Sequence, residues 1–216
     1  MREITVRTTR ETEVPVGQLH ELRQAAFRQW EEAGLDASEA NGPIESFARS
    51  LSVMTVFVAH DAATGELLAM HTLRLDRRRR TAAGSNLAVA PHAKNEGIAS
   101  RMLQAEAGRL EKAGYRYMSE STAIPATWSV RWHLRNGYLI TGYKRSEKKN
   151  YASYTFRKPL SPDIRRHPQD ILWTRPVAPL TARLYYIASY LVTCLCKTRS
   201  GQLTAIGRMA KRMTGK

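Results

Sequence analysis

The segment from Leu87 to Leu103, LAVAPHAKNEGIASRML, joins a predicted strand to a predicted amphipathic helix through a short polar loop. The first backbone N–H groups of a helix have no acceptor inside the helix, and the helix dipole adds partial positive charge there. Such a junction can therefore bind an anion. Gly97 allows the backbone to come close to a phosphate, Ala99 keeps the approach clear, and Lys94 adds a cation. The loop taken alone fits a plain glycine turn equally well, so the surrounding elements must decide.

The elements that would position this loop follow from the hydrophobic periodicity of the chain. Before the loop we predict strands and helices, with a basic connection ahead of the last strand, in this order: strand 4–14, helices 16–34 and 42–51, strands 55–61 and 66–76, connection 77–85, strand 85–91. After it we predict helix 97–114, strand 115–122, helix 125–138, and strands 138–146 and 150–160. The loop thus lies in the middle of an α/β (α+β) arrangement.

The composition changes near Pro159, where a proline-containing stretch begins. We therefore predict one domain over residues 1–160 and, over residues 161–216, a linker followed by a basic, amphipathic helical extension. The uncharged run from Leu184 to Cys196 is shorter than the roughly 20 residues that a membrane-spanning helix needs. We expect the extension to pack on protein or to lie at an interface.

The charge of the chain is strongly unbalanced, since 34 Lys and Arg residues face 19 Asp and Glu residues and give a net charge of +15. Such a surface attracts phosphates, whether in nucleic acid, anionic lipid or a phosphorylated cofactor. Cys194 and Cys196 do not form a disulfide framework, and the histidines show no metal-ligand spacing, so we expect no metal. The charged N-terminal stretch lacks the apolar core of a signal peptide, and we expect a cytoplasmic protein.

Two motifs, set in this order of elements, resemble those of the Gcn5-related N-acetyltransferase (GNAT) family. The loop KNEGIA (94–99) is similar to the family signature Gln/Arg-x-x-Gly-x-Gly/Ala, with Lys94 as a conservative departure. LAVAP (87–91) resembles the family's fourth strand, and WHLRNGY (132–138) resembles its xYxxxGF helix end. The resemblance covers roughly residues 1–160. It implies a GNAT-like acyltransferase fold, with a central mixed, mostly antiparallel sheet of about seven strands flanked by helices.

The resemblance also implies where acetyl-CoA, or another acyl-CoA, would bind as co-substrate. In the family the fourth and fifth strands splay apart, and the acyl-CoA lies in the gap. The backbone of the fourth strand, here Leu87, Ala88 and Val89, would pair with the pantetheine. The loop would hold the pyrophosphate, and its residues are Lys94, Asn95, Glu96, Gly97, Ile98, Ala99 and Ser100. The Glu96 side chain is expected in solvent, because a carboxylate facing pyrophosphate is unfavourable.

Direct attack of an amine on the thioester requires a base, because a lysine-like amine has a pKa near ~10.4. Glu120, on the predicted fifth strand beside the splay, is our first candidate for this base. Asn86 is an alternative that would orient a water, and His71 is interpreted as a sheet histidine. The N–H of Val89 is a candidate donor to the oxyanion.

The thiolate that leaves benefits from an acid, which in the family is usually a tyrosine four residues before the glycine of GF. Aligning Gly137 and Tyr138 with that pair places His133 at this position. A histidine with a pKa near ~6.5 can give a proton or accept one, so its role as acid or base stays open. The run Arg77–Arg80 is either a solvated turn or a contact to an acidic acceptor or to the CoA 3′-phosphate.

Three functions are consistent with these residues. The first is an N-acyltransferase, most simply an acetyltransferase, acting on an amine of a small molecule or a protein. The second is a synthase of the N-acyl amino acid or homoserine-lactone type that takes its donor from acyl carrier protein, which a basic surface suits. The third is a basic membrane- or nucleic-acid-binding module with a degenerate GNAT domain, and salt dependence would reveal nucleic-acid binding.

The expected partners follow from the same interpretation. An amine-bearing acceptor is expected for the enzyme, and the extension is expected to contact either a second copy of the chain or a membrane surface. Nucleic acid is disfavoured, because the aromatic residues of the extension lie in an uncharged run. The protein would then be cytoplasmic, or peripheral at the membrane.

Overall fold

A seven-stranded sheet organises residues 2–161, the part of the chain that the computed structural model describes. The predicted extension at 161–216 lies outside the described residues except for its first residue, and the domain boundary stays a prediction. The sheet order is β1-β2-β3-β4-β5-β7-β6. The strands are β1 Ile4–Thr8, β2 Thr55–Asp61, β3 Leu67–Asp76, β4 Thr81–Val89, β5 Tyr117–Ala123, β6 Leu139–Arg145 and β7 Ala152–Pro159.

Four α-helices accompany these strands within residues 2–161. They are α1 Val16–Glu32, α2 Ile44–Leu51, α3 Ile98–Lys112 and α4 Thr127–Arg135, and a short 3₁₀ turn at Pro91–Ala93 precedes α3. The mixed, mostly antiparallel sheet and its flanking helices confirm the predicted fold class. None of the helices in this part of the chain is both long and apolar enough to cross a bilayer.

The described chain divides into two units, one of residues 2–120 with 157–161 and one of residues 121–156. The first unit contains β1 to β4, the first three helices and the paired start of β5. Its core lies between the sheet and the helices. Among its fully buried apolar side chains are Leu19 of α1, Val58 of β2, Met70 of β3 and Met102 of α3.

The second unit contains the end of β5, α4, β6 and most of β7. The Ile124 N–H donates to the carbonyl of Ala152 (2.9 Å), and the Thr122 hydroxyl donates to that of Ser129 (2.9 Å). Buried aromatic side chains, Tyr138 and Phe156 among them, form the interior of this unit.

Two predicted boundaries were wrong. Strand β1 ends at Thr8 instead of continuing to residue 14. The connection predicted at 77–85 is strand from Thr81 onward, because β4 pairs with β3 immediately after the turn, Asp76 lying opposite Thr81. The small residues of this stretch look like a loop in the sequence, but Ala82 is fully buried.

The pairing of β4 with β5 is parallel and very short. Thr81, Ala82 and Ala83 lie opposite Tyr117, Met118 and Ser119, and this three-residue register is the whole pairing among the described residues. β4 continues to Val89 beyond that point. From Gly84 onward β4 has no paired β5 residue among the described residues, and we call this unpaired edge the opening of the sheet.

Candidate active site

The start of α3 is open to a ligand. Gly97 precedes the helix in a left-handed conformation (φ +76°), and Asn95 is also left-handed (φ +67°). No side chain caps the helix, and the Arg101 N–H donates to the Gly97 carbonyl (3.0 Å). A Cβ built on Gly97 would contact nothing within 4 Å. The helix start beside Gly97 is therefore uncapped and has open space next to it, as an anion site requires.

A pocket of about 520 Å³ lies at this helix start and is lined by Arg2, Asn95, Glu96 and Gly97. Glu96 does not simply point into solvent as we expected, because Arg2 Nε lies 3.3 Å from its carboxylate. This ion pair neutralises the acid beside the anion site. No sequence pattern indicated Arg2, because more than ninety residues separate it from the loop.

Two further cations brace the loop. The Arg101 guanidinium donates to the Arg2 carbonyl (2.7 Å) and to the Glu96 carbonyl (3.4 Å). The Lys94 ammonium donates to the side chain of Gln29 on α1 (2.9 Å), and burial lowers its pKa. Lys94 thus anchors the loop to α1 as well as adding positive charge.

The remaining loop residues differ in exposure. The Ile98 side chain is 1% exposed and belongs to the core, whereas Ala99 and Ser100 are half-buried. These three residues would contact a phosphate through their backbone N–H groups. Their roles in binding a pyrophosphate stay predictions.

A β-bulge interrupts β4 directly beside β3. Met70 lies opposite Ala88 and Thr72 opposite Ser85, so Asn86 and Leu87 together face His71. Asn86 adopts a left-handed conformation (φ +53°) and donates through Nδ2 to the Thr72 hydroxyl (3.2 Å). The side chain predicted as a water-orienting alternative therefore helps to hold the bulge.

Beyond the bulge, the alternation of the ladder determines which backbone groups are accessible. The Ala90 N–H donates to the Leu68 carbonyl of β3 (2.8 Å). Backbone groups of successive strand residues point to opposite edges, so Val89 directs its N–H and C=O away from β3, and Ala88 directs them toward it. The open edge of β4 therefore offers Val89, the predicted oxyanion donor.

A buried cluster of two carboxylates and one imidazole occupies the point where β4 and β5 part. His71 on β3 is 1% exposed, Glu106 on α3 is fully buried, and Glu120 on β5 is 9% exposed. His71 Nδ1 lies 2.8 Å from Glu106 Oε2, and His71 Nε2 lies 3.8 Å from Glu120 Oε1. Glu120 directly follows Ser119, the last β5 residue that pairs with β4. The structure thus brings the predicted base to the opening of the sheet.

The electrostatics of this cluster favour a charged imidazole. Burial by itself would lower the pKa of His71, but the charges of Glu106 and then Glu120 outweigh it and raise the pKa to about 9. Burial raises the pKa of Glu106, and the charge of His71 opposes this shift. The two carboxylates therefore favour the protonated form of His71, which the interpretation as a sheet histidine did not anticipate.

The sequence pattern did not indicate Glu106 as a buried residue. The helical pattern of α3 predicted a buried face of Ile98, Met102 and Ala105. In the structure Glu106 is buried and Ala105 is half-buried. A glutamate inside a helix is usually solvated, so the pattern contained no sign that this one meets a histidine on a strand.

Gly84 of β4 closes the cluster from the side. A Cβ at this position would lie 2.6 Å from His71 Nε2 and 2.8 Å from Glu120 Cγ. Real Cβ atoms do not approach this closely, so no side chain fits there without displacing His71 or Glu120. Glycine is required here by the proximity of its neighbours.

His133 belongs to the second unit and is buried among aromatic rings. Its ring stacks on Phe156 (centroids 4.6 Å apart) and meets the edges of Tyr138 and Trp132. Nδ1 lies 2.7 Å from the carbonyl of Ser129, one helical turn earlier. These surroundings favour packing over proton transfer, and the predicted role of His133 as acid or base stays a prediction.

The arginine run forms the β3–β4 turn, and all four side chains from Arg77 to Arg80 are exposed. The turn and the α3 loop lie at opposite ends of the nine-residue strand β4. At about 3.3 Å per residue, the strand separates them by roughly 25–30 Å. The arginines therefore do not belong to the anion site at α3.

Among residues 2–161, no group of three or more His, Cys, Asp and Glu side chains is arranged to hold a metal ion.

Comparison with known proteins identifies the family of this chain. The family model for the acetyltransferase (GNAT) family matches residues 17–138, and no curated protein matches the sequence significantly. The ribosomal-protein-S18-alanine N-acetyltransferase of Escherichia coli is 15% identical, with a TM-score of 0.57 over 74% of this chain and 95% of that one.

Two further solved structures have the same fold. A chimeric spermidine N-acetyltransferase, derived in part from Vibrio cholerae, is 12% identical, with a TM-score of 0.57 over 76% of this chain and 99% of that one. A GNAT family acetyltransferase from Elizabethkingia anophelis, solved with acetyl-CoA bound, is 16% identical, with a TM-score of 0.54 over 72% of this chain and 97% of that one. At such identities these structures show the fold, whereas the family model spans more than half of the chain. The protein belongs to the GNAT family of acetyltransferases.

Proposed function

We propose that this enzyme transfers an acetyl group from acetyl-CoA to a primary amine, with Glu120 as the general base. The observation that carries the proposal is the position of Glu120. It directly follows Ser119, the last β5 residue paired with β4, and lies beside Gly84 of β4, the strand that leads to α3. A carboxylate at such an opening can accept the proton that an attacking amine must lose.

The residues around the α3 start suit the pyrophosphate of acetyl-CoA. Gly97 leaves the uncapped helix start accessible, and the nearby pocket has room for a phosphate group. The pairing of Arg2 with Glu96 removes the repulsion that a bare carboxylate would exert. Bound acetyl-CoA supplies an activated thioester, and the protein supplies its position.

The open edge of β4 would hold the pantetheine and the reacting carbonyl. Val89 directs its N–H and C=O to that edge, so it is our candidate for pairing with the pantetheine and for polarising the thioester oxygen. Leu87 lies in the bulge just before it. Glu120 takes the proton from the amine, directly or through a water.

The acceptor is proposed at the level of an amine. The solved neighbours include enzymes described as acting on an alanine of a ribosomal protein and on spermidine. An alanine-initiated peptide and spermidine therefore form the first acceptor panel. Acetyl-CoA is the first donor, and an acyl carrier protein is the alternative.

Calorimetry with CoA tests the binding site. Gly97→Glu places a carboxylate at the open helix start, and we expect CoA affinity to fall at least about tenfold because the anions repel each other. Gly114→Glu is the matched control, since Gly114 is also left-handed (φ +80°) and open, but follows the other end of α3. Equal CoA affinity in the two variants would show that the loop does not hold the pyrophosphate.

A further inference from the structure

The cluster of His71, Glu106 and Glu120 contains two titratable groups in addition to the proposed base, Glu120. Glu120 is the group at the opening, whereas His71 and Glu106 are buried behind it. His71 Nε2 and Glu106 Oε1 have no hydrogen-bond partner among the described residues. A buried polar atom left in this way costs stability, so the arrangement calls for an explanation beyond folding.

The geometry gives Glu106 and His71 distinct places in a chain of groups. Glu106 Oε2 accepts a hydrogen bond from His71 Nδ1 (2.8 Å), which fixes the imidazole ring and leaves Nε2 facing Glu120 at 3.8 Å. That separation is too long for a hydrogen bond but close for an ion pair. Gly84 lies beside both His71 Nε2 and Glu120 Cγ, and a Cβ at this position would collide with both.

The other elements around His71 add no competing charge. β4 contributes Gly84, and β2 places Phe57 directly opposite His71 in the register. Glu106 from α3 and Glu120 from β5 are the two charged groups that act on the imidazole. The three groups together hold one net negative charge when the imidazole is protonated and both carboxylates are ionised.

The geometry points to His71 as a positioning residue that, oriented by Glu106, keeps Glu120 ionised and in place for proton transfer. This inference rests on the proposed role of Glu120 as the base. The imidazolium lies behind the carboxylate and offsets the cost of its partial burial. In the transfer, an N–H bond of the amine breaks and an O–H bond forms on Glu120. His71 keeps both of its ring protons, and the cluster becomes neutral.

The protonation of His71 can be measured without any acceptor. In ¹⁵N-histidine-labelled full-length protein, the ring signals of His71 are assigned by their absence in His71→Gln. We expect the wild-type ring to stay protonated through neutral pH, with a titration midpoint at about 9. Glu120→Gln should lower this midpoint by about one unit or more, since an opposite charge at this distance is removed. A midpoint near that of a free histidine, or one unchanged by Glu120→Gln, would overturn the inference.

The second readout is the pH profile of acetyl transfer from acetyl-CoA to spermidine or to the alanine-initiated peptide. In His71→Gln the carboxylate of Glu120 loses its cation, so the acid limb of kcat/KM should move up by about one pH unit. KM for acetyl-CoA should not change. His60→Gln is the control, because His60 is a half-buried strand histidine on β2 and contacts neither carboxylate of the cluster.

The outcomes separate this inference from the proposed function. Acetyl transfer with an acid limb that His71→Gln leaves in place would refute the inference and keep the enzyme. If His71 titrates as expected but neither acceptor is acetylated, the charge pairing of His71 with Glu120 is supported and the two proposed acceptors are rejected. If His71→Gln does not fold, the ring signals of His71 are assigned instead by eliminating those of the other five histidines with single variants, and the Glu120→Gln titration still decides.

Discussion

Within residues 2–161, His71 and His133 are both almost completely buried, with 1% and 3% of their surfaces exposed, but their neighbours differ in kind. His71 lies between two glutamates, whereas His133 lies between aromatic rings and bonds to a backbone carbonyl. Carboxylates hold a proton on a buried imidazole, while stacked rings give it packing energy and no charge. Burial alone therefore does not distinguish the two histidines, and the partners of each ring do.

The largest effect on stability is expected at Gly84, which lies against the side chain of His71. Gly84→Ala forces a Cβ against His71 and Glu120, and we expect unfolding free energy to fall by about 1–3 kcal/mol. Gly108→Ala is the matched control, because Gly108 lies within α3 with open space around it and should gain about 0.5–1 kcal/mol. Urea unfolding measures both. Equal shifts in both variants would show that the cluster is not tightly enclosed.

The second effect concerns His133. His133→Gln removes the stacking on Phe156, and we expect a loss of about 1–2 kcal/mol of unfolding free energy with kcat changed less than about threefold. His133→Phe keeps a ring in place and should lose less stability. If both variants lowered kcat about a hundredfold without affecting unfolding, His133 would be the proton donor that the sequence predicts, and the contrast with His71 would fail.

The smallest effect is the pH dependence of folding stability that His71 confers. The pKa of His71 is raised from 6.5 to about 9 on folding, so its stabilising contribution is complete below pH 6.5 and is lost as the pH rises through 9. The raised pKa of Glu106 acts in the same direction. We expect Tm to fall by a few degrees between pH 6.5 and 9.5. The double variant His71→Gln/Glu106→Gln should show a flatter profile, and an unchanged slope would contradict the assignment.

The sequence predicted the order of the elements and the α3 loop, because their signals are local. Glycine, a short polar loop and periodic apolar residues determine a strand-to-helix junction within a few positions. Glu120 could be placed at the opening because the family resemblance indicates that the fifth strand borders it, and the local pattern predicts that Glu120 is on this strand.

The rest of the site depends on residues distant in sequence. Arg2 reaches Glu96, and Glu106 reaches His71 from another element, 35 positions along the chain. The hydrophobic periodicity of the sequence does not predict contacts between residues so far apart in the chain. The bulge at Asn86 is similarly hidden, because it depends on the register between β3 and β4 rather than on either strand alone.

The most direct test of the account compares kcat of Glu120→Gln and Glu66→Gln for acetyl transfer from acetyl-CoA to whichever panel acceptor the wild type uses. Glu66 is also a glutamate that faces a histidine, His92 at 3.1 Å, but that pair is half exposed. We predict that Glu120→Gln lowers kcat by about 10²–10⁴-fold with KM for acetyl-CoA unchanged, and that Glu66→Gln stays near wild type. A Glu120→Gln enzyme with kcat within about threefold of wild type would contradict the role of Glu120 as the base.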